Sequence, residues 1–237
     1  MVRMSDGDEV LRTVGLSAGH DGSPAIEDAQ VAVGRGEVVA LMGPNGAGKS
    51  TLLLAVLGLL PATGRVLLEG HDLSGLPPHR RASLGMAWIP EEPRVFPTLT
   101  VMDHVMLAWD SAGRPPGGRE ELWRALPAIR ELGHRTATTL SGGEQKLVAA
   151  AAALVRRPRL LLADDPFLGL HGDSAMLLTR VLEAARSQGT AILLAGQDLQ
   201  RLARLASRAY LLMAGRIIAS GLPGDVLHSP EAEPLTG

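Results

Sequence analysis

Apolar and polar positions alternate between two rhythms along this chain. Val38-Val39-Ala40-Leu41-Met42 is an unbroken apolar run, closed by Gly43-Pro44. Its β-branched residues and its length predict a buried strand. Residues Lys49 to Leu60 then predict a helix stopped by Pro61, and Arg65 to Leu68 a further strand before the turn Glu69-Gly70-His71-Asp72. Between Leu76 and about Arg156 the pattern turns helical, with segments Val101–Trp109, Glu120–Leu132 and Glu144–Arg156 separated by Pro- and Gly-rich stretches. Strand and helix then alternate: strand Leu160–Ala163, helix Gly172–Ser187, strand Thr190–Ala195, helix Leu199–Ala206, strands Ala209–Met213 and Arg216–Ala219. This order predicts a mostly parallel sheet with helices on both faces. The chain thus reads as a single α/β domain with a core lobe, 1–75 and 157–237, and an inserted helical lobe, 76–156.

The longest apolar runs, Leu52 to Leu60 and Leu147 to Leu154, are far shorter than the ~18 residues that span a bilayer. The N-terminus carries Asp6, Asp8 and Glu9 with no apolar stretch, so no secretory signal is expected. Net charge is −2 and aromatic residues make up 3%, which disfavours a nucleic-acid partner. The absence of cysteine excludes disulfides, thiolate metal sites and a cysteine nucleophile. Cationic charge is almost entirely arginine, with lysine only at 49 and 146. A compact ammonium kept at 49 points to a task that a planar guanidinium does not fit.

Gly43-Pro44-Asn45-Gly46-Ala47-Gly48-Lys49-Ser50, followed by Thr51, satisfies G-x-x-x-x-G-K-[ST] between a predicted strand and a predicted helix. Glycines let the backbone curl so that successive N–H groups face phosphate oxygens, and the helix adds its positive end. Lys49 then supplies a point charge to the phosphates, and the Ser50 hydroxyl a ligand for Mg²⁺. The second half of such a site is a carboxylate at the end of a buried strand. Leu160-Leu161-Leu162-Ala163-Asp164-Asp165 provides it.

Leu140-Ser141-Gly142-Gly143-Glu144-Gln145 is a second glycine-rich turn opening a helix. A single phosphate chain bound by one P-loop needs no second anion-binding turn. In its position between the P-loop and Asp164, this stretch resembles the signature of ABC ATPases. The resemblance covers nearly the whole chain and implies a P-loop, RecA-like fold with an antiparallel β part and a helical signature subdomain. It also implies that Ser141, Gly142, Gly143 and Glu144 close over ATP held by a second ABC ATPase subunit, alike or different. Integral membrane permease subunits, and indirectly an external solute-binding protein, would complete the assembly at the cytoplasmic face of the membrane.

Within the family the chain most resembles the second ATPase subunit of branched-chain amino acid importers and their urea or amide relatives. Ile89-Pro90-Glu91-Glu92-Pro93-Arg94-Val95-Phe96-Pro97-Thr98-Leu99-Thr100-Val101 carries that likeness, with Phe167-Leu168-Gly169-Leu170, Gln197 and Gly221–Glu231. By resemblance, Glu91 senses the metal and attacking water, Gln197 contacts the γ-phosphate, and 92–101 touches the permease. Three departures stand out. Glu92-Pro93 replaces the usual Gly-Arg. The aromatic that stacks on adenine is missing, His20 being the nearest candidate. Asp165 stands at the catalytic glutamate position, one methylene short, so slow hydrolysis is expected. A regulatory nucleotide-binding subunit paired with an active ATPase is the alternative. A chromosome-type ABC ATPase would need a long coiled coil, and no heptad run separates Lys49 from Ser141. A small-molecule kinase or GTPase would leave Ser141-Gly142-Gly143 unexplained.

Overall fold

The computed structural model describes residues 8–20 and 23–232. The described elements are β1 (Glu9–His20), β2 (Ser23–Ala29), β3 (Ala32–Gly34), β4 (Val38–Met42), α1 (Lys49–Leu57), β5 (Ala62–Leu68), β6 (His71–Asp72), α2 (Pro78–Ser83) and β7 (Met86–Ile89). They continue with α3 (Val101–Ser111), α4 (Gly118–Ala125), α5 (Pro127–Glu131), α6 (Gly142–Leu154), β8 (Leu160–Asp164), α7 (Gly172–Ser187) and β9 (Ala191–Gly196). The last are α8 (Leu199–Leu205), β10 (Arg208–Met213), β11 (Arg216–Gly221) and α9 (Pro223–Leu227). Short 3₁₀ turns lie at Ala137–Thr139 and Pro230–Ala232.

The central sheet runs β11-β10-β4-β9-β8-β7. It is parallel except for the terminal pair of β10 and β11. Every residue of β4, β8 and β9 is buried, because both faces are covered, and this is why these strands read as continuous apolar runs. Successive side chains point to opposite faces. Val38, Ala40 and Met42 therefore join one core with residues of α3, α6, α7 and α8. Val39 and Leu41 join a second core with α1 and the antiparallel sheet β2-β1-β5-β6, to which β3 is added through β1.

Three expectations shift. The helix opened by Lys49 ends at Leu57, where Gly58 turns left-handed at φ 73° and closes it. Residues 120–132 form two helices, because Pro127 lacks an N–H and opens a new helix after Leu126. The stretch 76–156 also contains one strand of the central sheet: β7 pairs in parallel with β8 from Met86↔Leu160 to Ile89↔Ala163.

Candidate active site

Parallel pairing gathers the carboxyl ends of β4, β8, β9 and β7 along one edge of the sheet. Met42 lies opposite Gly196, Asp164 opposite Ala195, and Ala163 opposite Ile89. The loops that leave these ends carry Gly43 to Ser50, Asp165, Gln197 and Glu91, residues far apart in sequence. In open α/β sheets this edge is where ligands bind.

The loop from Gly43 to Gly48 owes its shape to two tight approaches. A Cβ at Gly43 would lie 2.2 Å from the Leu212 carbonyl oxygen. Gly48 has φ 104°, and a Cβ there would lie 2.6 Å from the Ala25 oxygen. Gly46, at φ 76°, faces open space. The Lys49 ammonium is 6% exposed and donates to the Gly43 oxygen at 2.9 Å and the Pro44 oxygen at 3.0 Å. Burial lowers its pKa below the ordinary lysine value, and the nearby charges of Asp165, Asp164 and Glu91 oppose that fall. One ammonium thus lies within electrostatic reach of all three acids that the sequence singled out.

Asp164 is 5% exposed. Burial pushes its pKa above the ordinary aspartate value; a bond from Ser50 pulls it back, Asp165 and Glu91 push it further up, and Lys49 pulls it down. Asp165 sits in the left-handed region at φ 38°, a conformation that costs a non-glycine residue ~1–2 kcal/mol. Its N–H donates to the Ala195 oxygen at 2.8 Å. Its Oδ1 accepts from the backbone N–H of Gln197 at 3.3 Å. A Cβ on Gly196 would stand 2.9 Å from that Oδ1, so glycine at 196 keeps the carboxylate's space clear. Sequence reasoning assigned a role to the side chain of Gln197; the structure adds its main-chain N–H, which the side-chain identity does not reveal.

Ser141 opens α6 with a reciprocal cap. Its Oγ accepts from the Glu144 N–H at 3.2 Å, and its own N–H donates to Glu144 Oε2 at 2.7 Å. Ser141 and Gly142 are exposed. α6 packs in the helical core, whereas α1, which continues the P-loop, packs in the core on the other face of the sheet. The two glycine-rich turns therefore open from opposite sides of the sheet. His20, expected against adenine, closes β1, and its side chain lies outside the described residues.

The protein-family model for ABC transporters matches residues 26–168. The chain belongs to the ABC transporter ATP-binding family. It is 35% identical to a probable branched-chain amino acid transport ATP-binding protein, LivF, of Archaeoglobus fulgidus, with 95% of this chain and 98% of the relative covered. It is 33% identical to the lipopolysaccharide export system ATP-binding protein LptB of Escherichia coli K12, covering 92% of each. A solved ATP-binding subunit of an ABC transporter superposes with a TM-score of 0.83 at 29% identity, covering 96% of this chain and 95% of that one. An ATP-binding cassette in its ADP conformation gives 0.82 at 25% identity, covering 96% and 98%. This ABC ATPase is accordingly an ATP-binding, ATP-hydrolysing transporter subunit with the α/β P-loop fold. ABC ATPases generally dimerise and pair with membrane permeases; in this one no helix among the described residues is long and apolar enough to cross a membrane.

Proposed function

We propose that this subunit binds MgATP at Gly43–Thr51 and hydrolyses it within a head-to-tail pair, driving import of a branched-chain or other hydrophobic amino acid or a related amide. One observation carries the nucleotide chemistry: parallel pairing brings the P-loop lysine and the strand ends that lead to Asp164, Asp165 and Glu91 to one edge of the sheet, within electrostatic reach of each other. Lys49 neutralises the phosphates, Asp165 positions the attacking water, Glu91 senses metal and water, and Gln197 meets the γ-phosphate. Thr51 and the loop backbone from Pro44 through Asn45 and Ala47 complete the cradle.

Ser50 and Asp164 are hard oxygen donors placed near each other at this edge. No group of three or more His, Cys, Asp or Glu side chains is placed to hold a metal among the described residues. That sparse set fits Mg²⁺, which takes most of its ligands from phosphate and water. When bound with ATP, the ion would spread the charge of the phosphate oxygens.

The opposite-face placement of α1 and α6 supports the paired arrangement. Ser141, Gly142, Gly143 and Glu144 present their exposed turn to the nucleotide of a second subunit, alike or related. A groove of about 360 Å³ between the two lobes supports a permease contact. It is lined by Leu57, Met86, Trp88, Arg94, Ala149 and Arg156 among others. The subunit would then sit at the cytoplasmic face of the membrane, with a solute-binding protein outside.

Likeness to the LivF relative, together with Glu91 and Gln197, favours amino-acid import. The comparable likeness to LptB supports lipopolysaccharide export as the second reading. Removing the subunit from its host should abolish uptake of labelled leucine or of a short amide; intact uptake with impaired lipopolysaccharide export would reverse the choice. Asp165 in turn supports a regulatory half-site as the alternative to a working ATPase. Hydrolysis by the purified chain alone decides against it.

A further inference from the structure

The chain spends its only other lysine at the same place. Lys146, on the second turn of α6, is 7% exposed and makes no ion pair among the described residues. Its ammonium donates to the main-chain oxygens of Asp165 at 3.2 Å and Leu168 at 2.5 Å. A buried ammonium is costly unless its donors are used and opposite charge is near. Asp165 and Glu91 supply that charge, working against the burial that lowers its pKa.

The loop it grips, 165–170, holds the left-handed Asp165. The loop's own bonds are local: Leu168 N–H to the Asp165 oxygen and Leu170 N–H to the Phe167 oxygen, each at 3.0 Å. The start of the same helix lies close against this loop, since a Cβ added at Gly143 would stand 3.3 Å from Leu170 Cδ2. A flexible stem with three donors can reach two carbonyls on different residues, which a planar fork or a shorter amide does less well. Resting on the reading of Asp165 as the residue that places water, we propose that Lys146 is a positioning residue: it fastens the Asp165 backbone to the signature helix. The turn that meets one nucleotide is thereby tied to the carboxylate that serves the other.

Aspartate has one methylene less than glutamate with which to absorb a backbone shift, so the tether matters more here than in a glutamate enzyme. Displacement of ~1 Å costs ~10²-fold in rate. The test uses the full chain with Lys146→Met, which keeps the stem and loses the donors, and Lys146→Gln, which keeps a shorter donor. Readouts are MgATP affinity, steady-state kcat and KM, and amide hydrogen exchange. Expected for Lys146→Met is a kcat loss of about tenfold to a hundredfold, with KM and affinity within twofold and faster exchange confined to 165–170. Lys146→Gln gives an intermediate loss and carries the test if the methionine variant does not fold. In an Asp165→Asn background, Lys146→Met lowers the residual rate no further. Unchanged kcat and loop exchange overturn the proposal. So does faster exchange throughout α6 and the core with affinity lost as well, or a full additional loss on top of Asp165→Asn. If the unmodified chain turns over no ATP, the hydrolysis reading fails by itself, and loop exchange still decides whether Lys146 holds the loop.

Discussion

At the scale of single residues, the site is governed by what a small change of reach or volume does. Asp165 is held from three sides, by the Ala195 oxygen, by the Gln197 N–H and by Lys146. Its carboxylate is therefore well oriented but short. Asp165→Glu should raise kcat by about tenfold and Asp165→Asn should lower it by at least that factor, with ATP affinity little changed; steady-state kinetics beside equilibrium nucleotide binding checks both. Gly48 makes the converse case. Alanine there must adopt φ 104° and put a Cβ 2.6 Å from a main-chain oxygen. Gly48→Ala should weaken MgATP binding by more than tenfold, because strained positions are costly even before contacts are lost. Neither the backbone angle of Asp165 nor the hold of Lys146 was legible in the sequence. Residue identity announces an acid and a lysine, but a positive φ at a non-glycine, and a bond to carbonyls 19 and 22 residues away, arise only from packing.

At the scale of elements, two helix ends decide how rigid the site is. The Ser141–Glu144 cap fixes the start of α6. The Glu144 carboxyl is held below the ordinary glutamate value, foremost by the bond from the Ser141 N–H, with Arg135 adding to the fall and burial opposing it. The folded state thus favours the charged form. This support is present above the ordinary glutamate pKa and is lost as pH falls through the lower folded value, so exchange at the start of α6 should accelerate on acidification before the core melts. Ser141→Ala should cost ~1 kcal/mol of stability, a Tm drop of about 2–4 °C, yet abolish turnover; thermal melts beside an ATPase assay separate the two.

The far end of α1 depends on Arg81. Its buried guanidinium donates to the oxygens of Leu76, Ala55 and Val56 at 3.0, 3.2 and 2.7 Å, satisfying carbonyls that a helix terminus leaves open. Arg81→Met should cost about 3 kcal/mol, read as a lower midpoint in urea. The motif-bearing helix starts were readable because capping and P-loop chemistry are local. The end of α1 and the break at Pro127 were read less well, since a left-handed glycine or a proline competes with an otherwise helical pattern.

At the scale of the whole molecule, the central strands were legible because burial on both faces leaves an unbroken apolar run. β7 was hidden. Its four residues lie between Gly85 and Pro90, and only the distant β8 gives them a partner. β1 was obscured where Gly15, at φ 60°, and a register shift between Val14 and Ser17 interrupt its alternation. What the assembled fold adds is the separation of the two glycine-rich turns: one continues into a helix on one face of the sheet, the other opens a helix on the opposite face. In the proposed pair, a complete site takes its P-loop from one chain and its Ser141 turn from another. The most direct measurement is steady-state ATP hydrolysis by Lys49→Ala chains and Ser141→Ala chains, assayed separately and then mixed. Each should be inactive alone, and the mixture should recover turnover, because one of the two sites in a mixed pair joins an intact P-loop to an intact Ser141. A mixture that stays silent while the unmodified chain is active would contradict the account.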